Sequence, residues 1–382
     1  MYWPIVIVTA CLLLAYCLLI LQYRKWFLHL PLFTMDPSWR GKTKFSIIIP
    51  ARNEEENIRQ CLTSVLQQNY PSNLFEVIVI NDHSTDDTEA IIRSMQLEHP
   101  NLRLLNLSEH ADAKALNAYK KKAIEMAIGQ STGEWIVTTD ADCTVQSNWL
   151  LLYDAFIRQK GCVFAAAPVM FTNDQSFLSV FQLLDFISLQ GITAASVSAG
   201  YHSMCNGANI AYRKNVFYEV GQFAGIDHLA SGDDMLLMHK IKQRYPQQLG
   251  YLFCQGSTVT TPPMPDWKSF LNQRIRWASK ADKYIDKSIF WVLALVYALN
   301  AGMLILLCWS LFETNGWYNW LILLIAKTIV ELGFMIPVAR FYGHSSSLLY
   351  FPLMQPFHIL YTVVAGWLGK FGSYKWKGRN VH

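Results

Sequence analysis

Four apolar runs, one at the amino end and three near the carboxyl end, bracket a stretch of ordinary polar sequence, and this arrangement limits the chain more than any motif. Residues Trp3 to Gln22 carry no charge, and about 20 residues of helix cross the hydrocarbon core of a bilayer. No basic segment precedes the run and no small-residue cleavage site follows it, so it reads as a retained span and not a signal peptide. Arg24 and Lys25 follow directly, which by the positive-inside rule places the next segment in the cytoplasm. Ile289 to Phe312 and Trp317 to Ala339 read as a helical hairpin turning at Asn315 and Gly316. Lys327 and Glu331 stand at i,i+4 spacing in the second of these; a structural ion pair is favoured over a role in an acceptor path. The last run, Leu348 to Gly369, contains Pro352 and Pro356 and is followed by Lys370, Lys375, Lys377 and Arg379. Three ordinary spans would carry this basic tail outside, so the Pro-interrupted run is expected to be re-entrant or interfacial.

Composition agrees that part of the chain sits in lipid, since 52% of residues are apolar and only 16% charged. The net charge of +4 is small, and the basic residues gather at the ends of the apolar runs. Nucleic acid is therefore not an expected partner. The eight cysteines are scattered without a C-x-x-C pair, as expected for reduced thiols.

From Phe45 onward, short Ile- and Val-rich runs alternate with amphipathic stretches, the pattern of an α/β sheet. Strands are predicted at Phe45 to Ile49, Phe75 to Ile80, Asn101 to Asn106 and Trp135 to Thr139. Helices are predicted from an Asn53 cap to Gln68, from Asp86, and from Lys114 to Ile128. Asp82 and Asp140 then fall at carboxyl ends of strands, where open α/β sheets bind ligands.

Three constellations carry chemistry. In Asp140-Ala141-Asp142, alternate residues of an extended segment share a direction, so one or both carboxylates can reach a divalent cation bridging two phosphates. Gly232-Asp233-Asp234 opens a helix, where a carboxylate either takes a proton from a hydroxyl or caps the helix. The segment Pro265 to Tyr284 suits the headgroup plane, and within it Gln273-Arg274-Ile275-Arg276-Trp277 offers a guanidinium for a diphosphate and an indole for a sugar ring.

Together these residues resemble the membrane branch of family 2 inverting glycosyltransferases, which includes cellulose, hyaluronan, chitin and poly-N-acetylglucosamine synthases. Phe45-Ser-Ile-Ile-Ile-Pro-Ala-Arg-Asn-Glu-Glu looks like that family's opening strand and loop, and Val79-Ile-Asn-Asp-His-Ser-Thr-Asp like its nucleoside-binding strand. The resemblance implies an α/β GT-A (Rossmann-like) domain with flanking transmembrane helices. It implies that Ala51, Asn53 and Glu54 line the base and ribose site and that Asp82 contacts the base. Asp140 then holds the nucleotide and, with Asp142, a metal, Mg2+ or Mn2+. By the match to the family's T-E-D or G-D-D motif, Asp234 is implied as general base beside Asp233. Gln273, Arg276 and Trp277 match its Q-x-x-R-W motif, implied to bind diphosphate and acceptor. Lys120, Lys121 or Lys122 is implied near the donor phosphates. Lys114-Ala-Leu-Asn117 resembles the family's lysine motif but sits too far upstream of Asp140.

The expected organisation is an anchor at 1–25, a cytoplasmic catalytic domain at 44–262, an interfacial segment at 263–287, a membrane bundle at 288–370 and a basic tail at 371–382. The implied partners are a nucleotide-sugar donor, a membrane-associated glycan or lipid acceptor and the bilayer of the plasma (inner) membrane. A processive synthase and a single-transfer lipid glycosyltransferase both fit the motifs. An inactive membrane scaffold is the alternative of another class.

Overall fold

The computed structural model describes residues 2–109, 119–227, 232–280, 284, 286–313, 316–372, 374–376 and 379–381. In chain order its elements are α1 (Tyr2–His29), β1 (Phe45–Ala51), α2 (Ile58–Leu66), β2 (Phe75–Asn81), α3 (Thr88–Gln96), β3 (Leu102–Asn106), α4 (Tyr119–Gln130), β4 (Trp135–Thr138) and α5 (Trp149–Lys160). There follow β5 (Phe164–Ala166), β6 (Val169–Phe171), α6 (Phe177–Ser198), β7 (Ile210–Arg213), α7 (Lys214–Glu219), α8 (Met235–Arg244), β8 (Leu249–Tyr251) and β9 (Val259–Thr261). The chain closes with α9 (Trp267–Ala278), α10 (Lys287–Trp309), α11 (Gly316–Phe341), α12 (Phe351–Phe371) and a hairpin of β10 (Tyr374–Trp376) and β11 (Arg379–Val381). Two compact units result, one of residues 31–171 and 197–262, the other of residues 1–30, 172–196 and 263–382.

The first unit is built on a seven-stranded sheet in the order β3-β2-β1-β4-β7-β5-β8. Strands β3, β2, β1 and β4 run parallel, and β7 pairs antiparallel with both β4 and β5. Because β1 lies between two strands with both faces covered, its run Phe45-Ser-Ile-Ile-Ile is buried throughout, as continuous apolar runs in parallel sheets are. Pro50 is tolerated because it lies beyond the last β4 pairing, that of Ile48 with Thr138. Helix α2 buries Ile58, Cys61, Leu62 and Val65, an i, i+3, i+4, i+7 stripe.

The chain enters β1 over a buried carboxylate. Asp154 of α5, fully buried, accepts from Trp39 Nε1 at 2.9 Å, from the amides of Lys42 and Thr43 at 3.1 and 3.2 Å, and from the Thr43 hydroxyl. Asp154→Ala strands these donors, and each buried group left without a partner costs about 1–3 kcal/mol. A clear fall in the thermal unfolding midpoint is the expected result, and an unchanged midpoint would show that the Trp39–Thr43 segment is not held this way.

The second unit is helical. Among the described residues five helices, α1, α6, α10, α11 and the 345–371 segment containing α12, are long and apolar enough to cross a membrane. Large apolar side chains stand exposed along α1, α10, α11 and α12, among them Leu14, Leu18, Trp291, Ile322 and Leu353, as lipid-facing surfaces do. Helix α6 is mostly buried instead. Glycines set the close packing: a Cβ on Gly191 of α6 would lie 2.6 Å from a Val338 methyl on α11, and one on Gly302 of α10 would lie 2.8 Å from Thr9 Oγ1 on α1.

Several expectations are corrected. Asn53 caps no helix: its φ of 49° is left-handed, and α2 starts only at Ile58, because Asn53 and Glu54 bond across to the β2 loop. The run with Pro352 and Pro356 is not broken: Pro352 sits in the first turn, where no amide donor is needed, and Pro356 lies inside a continuous helix. Helix α6 is an addition to the four apolar runs of the sequence: Asp185 falls in its middle, so it contains no uncharged run of span length. The described part of the Lys114–Ile128 helix is α4; Lys114 to Asn117, Asn315 and Lys377 lie outside the described residues.

Candidate active site

Parallel strands deliver their following loops to one sheet edge, so the residues after β1, β2 and β4 converge there. The β1 and β2 loops are bound together. Asn53 donates its amide to Ser84 Oγ at 3.0 Å and accepts the Thr85 amide at 2.9 Å; Glu54 donates its amide to Thr88 Oγ1 at 2.7 Å. Glu55 and the Asp86–Asp87 turn exchange a further pair of bonds, at 3.1 and 3.0 Å. Both loops hold a non-glycine residue in left-handed backbone, Asn53 at φ 49° and His83 at φ 55°, a strained choice that persists where surrounding bonds enforce it. Asp82 is almost buried; its amide bonds Ala51 O at 2.8 Å, and its Oδ1 lies 3.0 Å from His83 Nδ1. Arg52, which the sequence reading passed over, donates to Asp82 O at 2.8 Å. The four residues expected at the nucleoside, Ala51, Asn53, Glu54 and Asp82, thus share one loop pair.

After β4, Asp140, Asp142 and Cys143 bring their ligand atoms within 4.8 Å of one another. Burial, then the adjoining Asp142 and Asp140 charges, push the Cys143 thiol up, so it stays protonated and donates to Asp142 Oδ1 at 3.4 Å. The two carboxylates are the hard oxygen donors that magnesium and manganese take, and this donor set fits such an ion.

The structure separates the three candidate lysines of α4. Lys120 Nζ lies 2.8 Å from Asp140 Oδ1 and 3.3 Å from Asp233 Oδ2. Burial alone would lower its pKa, but Asp140 and then Asp233 outweigh that and hold it above the ordinary lysine value. Lys121 is turned inward to Ile226 O at 2.6 Å, and burial lowers its pKa. Lys122 pairs with Glu125 at 3.9 Å on the same helix.

Asp234 is both cap and acidic site. Its Oδ1 accepts the Met235 amide at 2.7 Å at the start of α8, and its Oδ2 accepts the Gly207 amide at 3.0 Å. Gly207 is tied in turn to the end of β4, where Thr138 Oγ1 donates to Gly207 O at 2.6 Å. One cluster thus gathers Asp140, Asp142, Lys120, Asp233 and Asp234 from three distant stretches of sequence.

Gln273, Arg276 and Trp277 lie on α9, in the helical unit. The buried members of that helix are Phe270, Arg274 and Ile275. The guanidinium of Arg274 sits over the rings of Phe270 and Trp277, 4.9 and 4.3 Å from their centroids. An arginine of this chain therefore covers a face of the Trp277 indole.

The seven-stranded sheet with its acidic edge defines a GT-A type α/β fold, and the comparisons agree. Residues 46–221 match Glycosyl transferase family 2 and residues 135–368 match Glycosyl transferase family group 2. The chain belongs to glycosyl transferase family group 2. Glycosyltransferase AglE of Haloferax volcanii is 30% identical over 190 residues, 50% of this chain and 58% of that protein. Probable glycosyltransferase YdaM of Bacillus subtilis is 26% identical over 259 residues, 65% of this chain and 58% of that one. Poly-beta-1,6-N-acetyl-D-glucosamine synthase of Staphylococcus epidermidis is 26% identical over 178 residues, 46% and 41%. The chain thus spans about half the length of these curated relatives. In fold it is similar to mannosyltransferase PcManGT from Pyrobaculum calidifontis, solved with GDP-Man and Mn2+, with TM-score 0.62, 18% identity and coverage of 94% and 99%.

Proposed function

We propose that the chain transfers a sugar from a nucleotide-diphosphate donor to a hydroxyl of a membrane-held glycan or lipid, inverting the anomeric centre. The observation that supports this best is the joint clustering of Asp140, Asp142, Lys120, Asp233 and Asp234 beside the bound-together β1 and β2 loops. Ala51, Asn53, Glu54 and Asp82 take the nucleoside. Asp140 and Asp142 hold the divalent cation, which supplies Lewis-acid stabilisation of the leaving diphosphate. Lys120 adds a fixed positive charge where negative charge develops. Asp234, oriented by the Met235 and Gly207 amides, takes the acceptor's proton as its oxygen attacks the anomeric carbon. Asp233 keeps Lys120 in place. Gln273, Arg276 and Trp277 serve the diphosphate and acceptor, with Trp277 packed by Arg274.

Arg24 and Lys25, near the carboxyl end of α1, favour a cytoplasmic catalytic unit on the inner membrane. The donor is read as a UDP-sugar by the family resemblance; PcManGT was solved with GDP-Man, so guanosine donors belong in the test. Polymer synthesis and single transfer both fit this acceptor chemistry. The deciding experiment is nucleoside diphosphate release by the purified protein in lipid, across UDP- and GDP-sugars with magnesium or manganese. Metal-dependent release with one donor is expected; nucleotide binding without release points to a missing acceptor, and no nucleotide binding overturns the reading.

A further inference from the structure

Inside the helical unit lies a cavity of about 70 Å3 whose polar lining comprises Tyr16, Asp185, Ser188, Glu331, Gln355 and His358. A cavity this size holds several waters or a small polar headgroup. Ionisable side chains inside helices long enough to span a bilayer are costly unless paired, and mark function more often than packing. Here the buried charges stand in ion pairs. Glu331 lies 2.7 Å from Lys327 Nζ and accepts from Tyr16 OH and Gln355 Nε2, both at 2.6 Å; Lys327 also donates to Gln355 Oε1 at 2.8 Å. Asp185 lies 2.6 Å from the Arg274 guanidinium, both side chains being 4% exposed, and accepts from Tyr361 OH. Each carboxylate therefore has its cation and each cation its carboxylate.

Asp185 Oδ2 and the Arg274 guanidinium nitrogens make no hydrogen bond beyond that ion pair, and the cavity lining itself carries two carboxylates and no lysine or arginine. The His358 ring lines the cavity, and its buried Nδ1 has no hydrogen-bond partner, a condition native interiors seldom leave unexplained. Ser188 donates to Asp185 O at 2.8 Å, which leaves its oxygen able to accept. The other walls are apolar, with Phe181, Leu184, Phe334 and Met354 among them. A phosphate brought into this lining would face the carboxylates of Asp185 and Glu331 with no lysine or arginine among the walls, and would bear the cost of a poorly compensated buried charge. An uncharged hydroxyl meets His358 Nδ1 and Ser188 Oγ at no such cost.

We infer that this cavity binds the uncharged, hydroxyl-bearing head of a lipid whose chains lie against the apolar walls. The inference rests on the proposed membrane setting of the transferase and names the class of lipid that the helical unit holds. The test uses the full chain in phosphatidylcholine nanodiscs with two photoactivatable probes of identical chains, a diacylglycerol and a phosphatidic acid. Labelling of α6 and α12 by the diacylglycerol is expected to exceed that by phosphatidic acid about tenfold, a difference of about 1.4 kcal/mol. Leu184→Trp, which fills the cavity, and His358→Leu, which removes the unpartnered nitrogen, are each expected to abolish the preference while nucleotide binding stays intact. Equal or stronger labelling by phosphatidic acid, labelling insensitive to both variants, or no labelling above background overturns the inference. Nucleoside diphosphate release is measured on the same samples: its absence alongside selective labelling counts against the transferase reading and leaves the lipid site standing.

Discussion

Asp234→Asn is expected to lower sugar transfer by about 10²–10⁴-fold, the range for loss of a general base, while nucleotide binding changes little. Asparagine retains one oxygen, enough to accept the Met235 amide that starts α8, so the helix cap survives. The other position becomes an NH2 group facing the Gly207 amide, a donor set against a donor. The experiment therefore pairs kcat with the nucleotide Kd and the unfolding midpoint. Loss of kcat with an unchanged Kd and a modest drop in midpoint assigns the base. Retained turnover would falsify it and move the proton transfer to Asp233, whose own asparagine variant belongs in the same series.

The second large effect is expected at Lys120. Its ammonium lies between Asp140 and Asp233, and removing it leaves like charges facing each other while taking a cation from the leaving diphosphate. Lys120→Met is expected to cost about 10²–10³-fold in kcat, the loss seen when one electrostatic stabiliser is removed. Lys120→Arg is expected to recover part of it. Because Asp140 and Asp233 hold the lysine's pKa above its ordinary value, its charge persists through neutral pH. Any titration seen in the pH–rate profile on the acidic side then does not belong to Lys120. If Lys120 only neutralised Asp140, Lys120→Met would tighten metal binding and leave kcat near that of the parent chain; a titration of Mn2+ binding separates the two.

Much of the frame was legible in the sequence because it is written in local patterns. Burial on both faces demands the unbroken apolar run Phe45 to Ile49, and a strand followed by Asp140-Ala-Asp142 places acids at a parallel edge wherever the rest of the sheet lies. The apolar lengths of α1, α10 and α11 likewise follow from about 1.5 Å of rise per helical residue. The α6 helix escaped notice because its polar residues are paired inside the helical unit, as Asp185 is with Arg274, and a pairing partner 89 positions away leaves no trace in a hydropathy window.

What the sequence by itself determined is which chemical groups exist and which strand ends carry them: Asp82 after β2, Asp140 and Asp142 after β4, and Asp233 with Asp234 at a helix start. Only the tertiary structure decided which groups act on each other. Three consecutive lysines are equivalent in sequence, yet helical rotation of about 100° per residue sends Lys120 to the acids, Lys121 inward to Ile226 and Lys122 to Glu125. Asn53 reads as a helix cap until the β2 loop supplies Ser84 and Thr85 as its partners. Charge pairing and hydrogen bonding act over a few ångströms of space, and the fold alone sets which residues lie within that range.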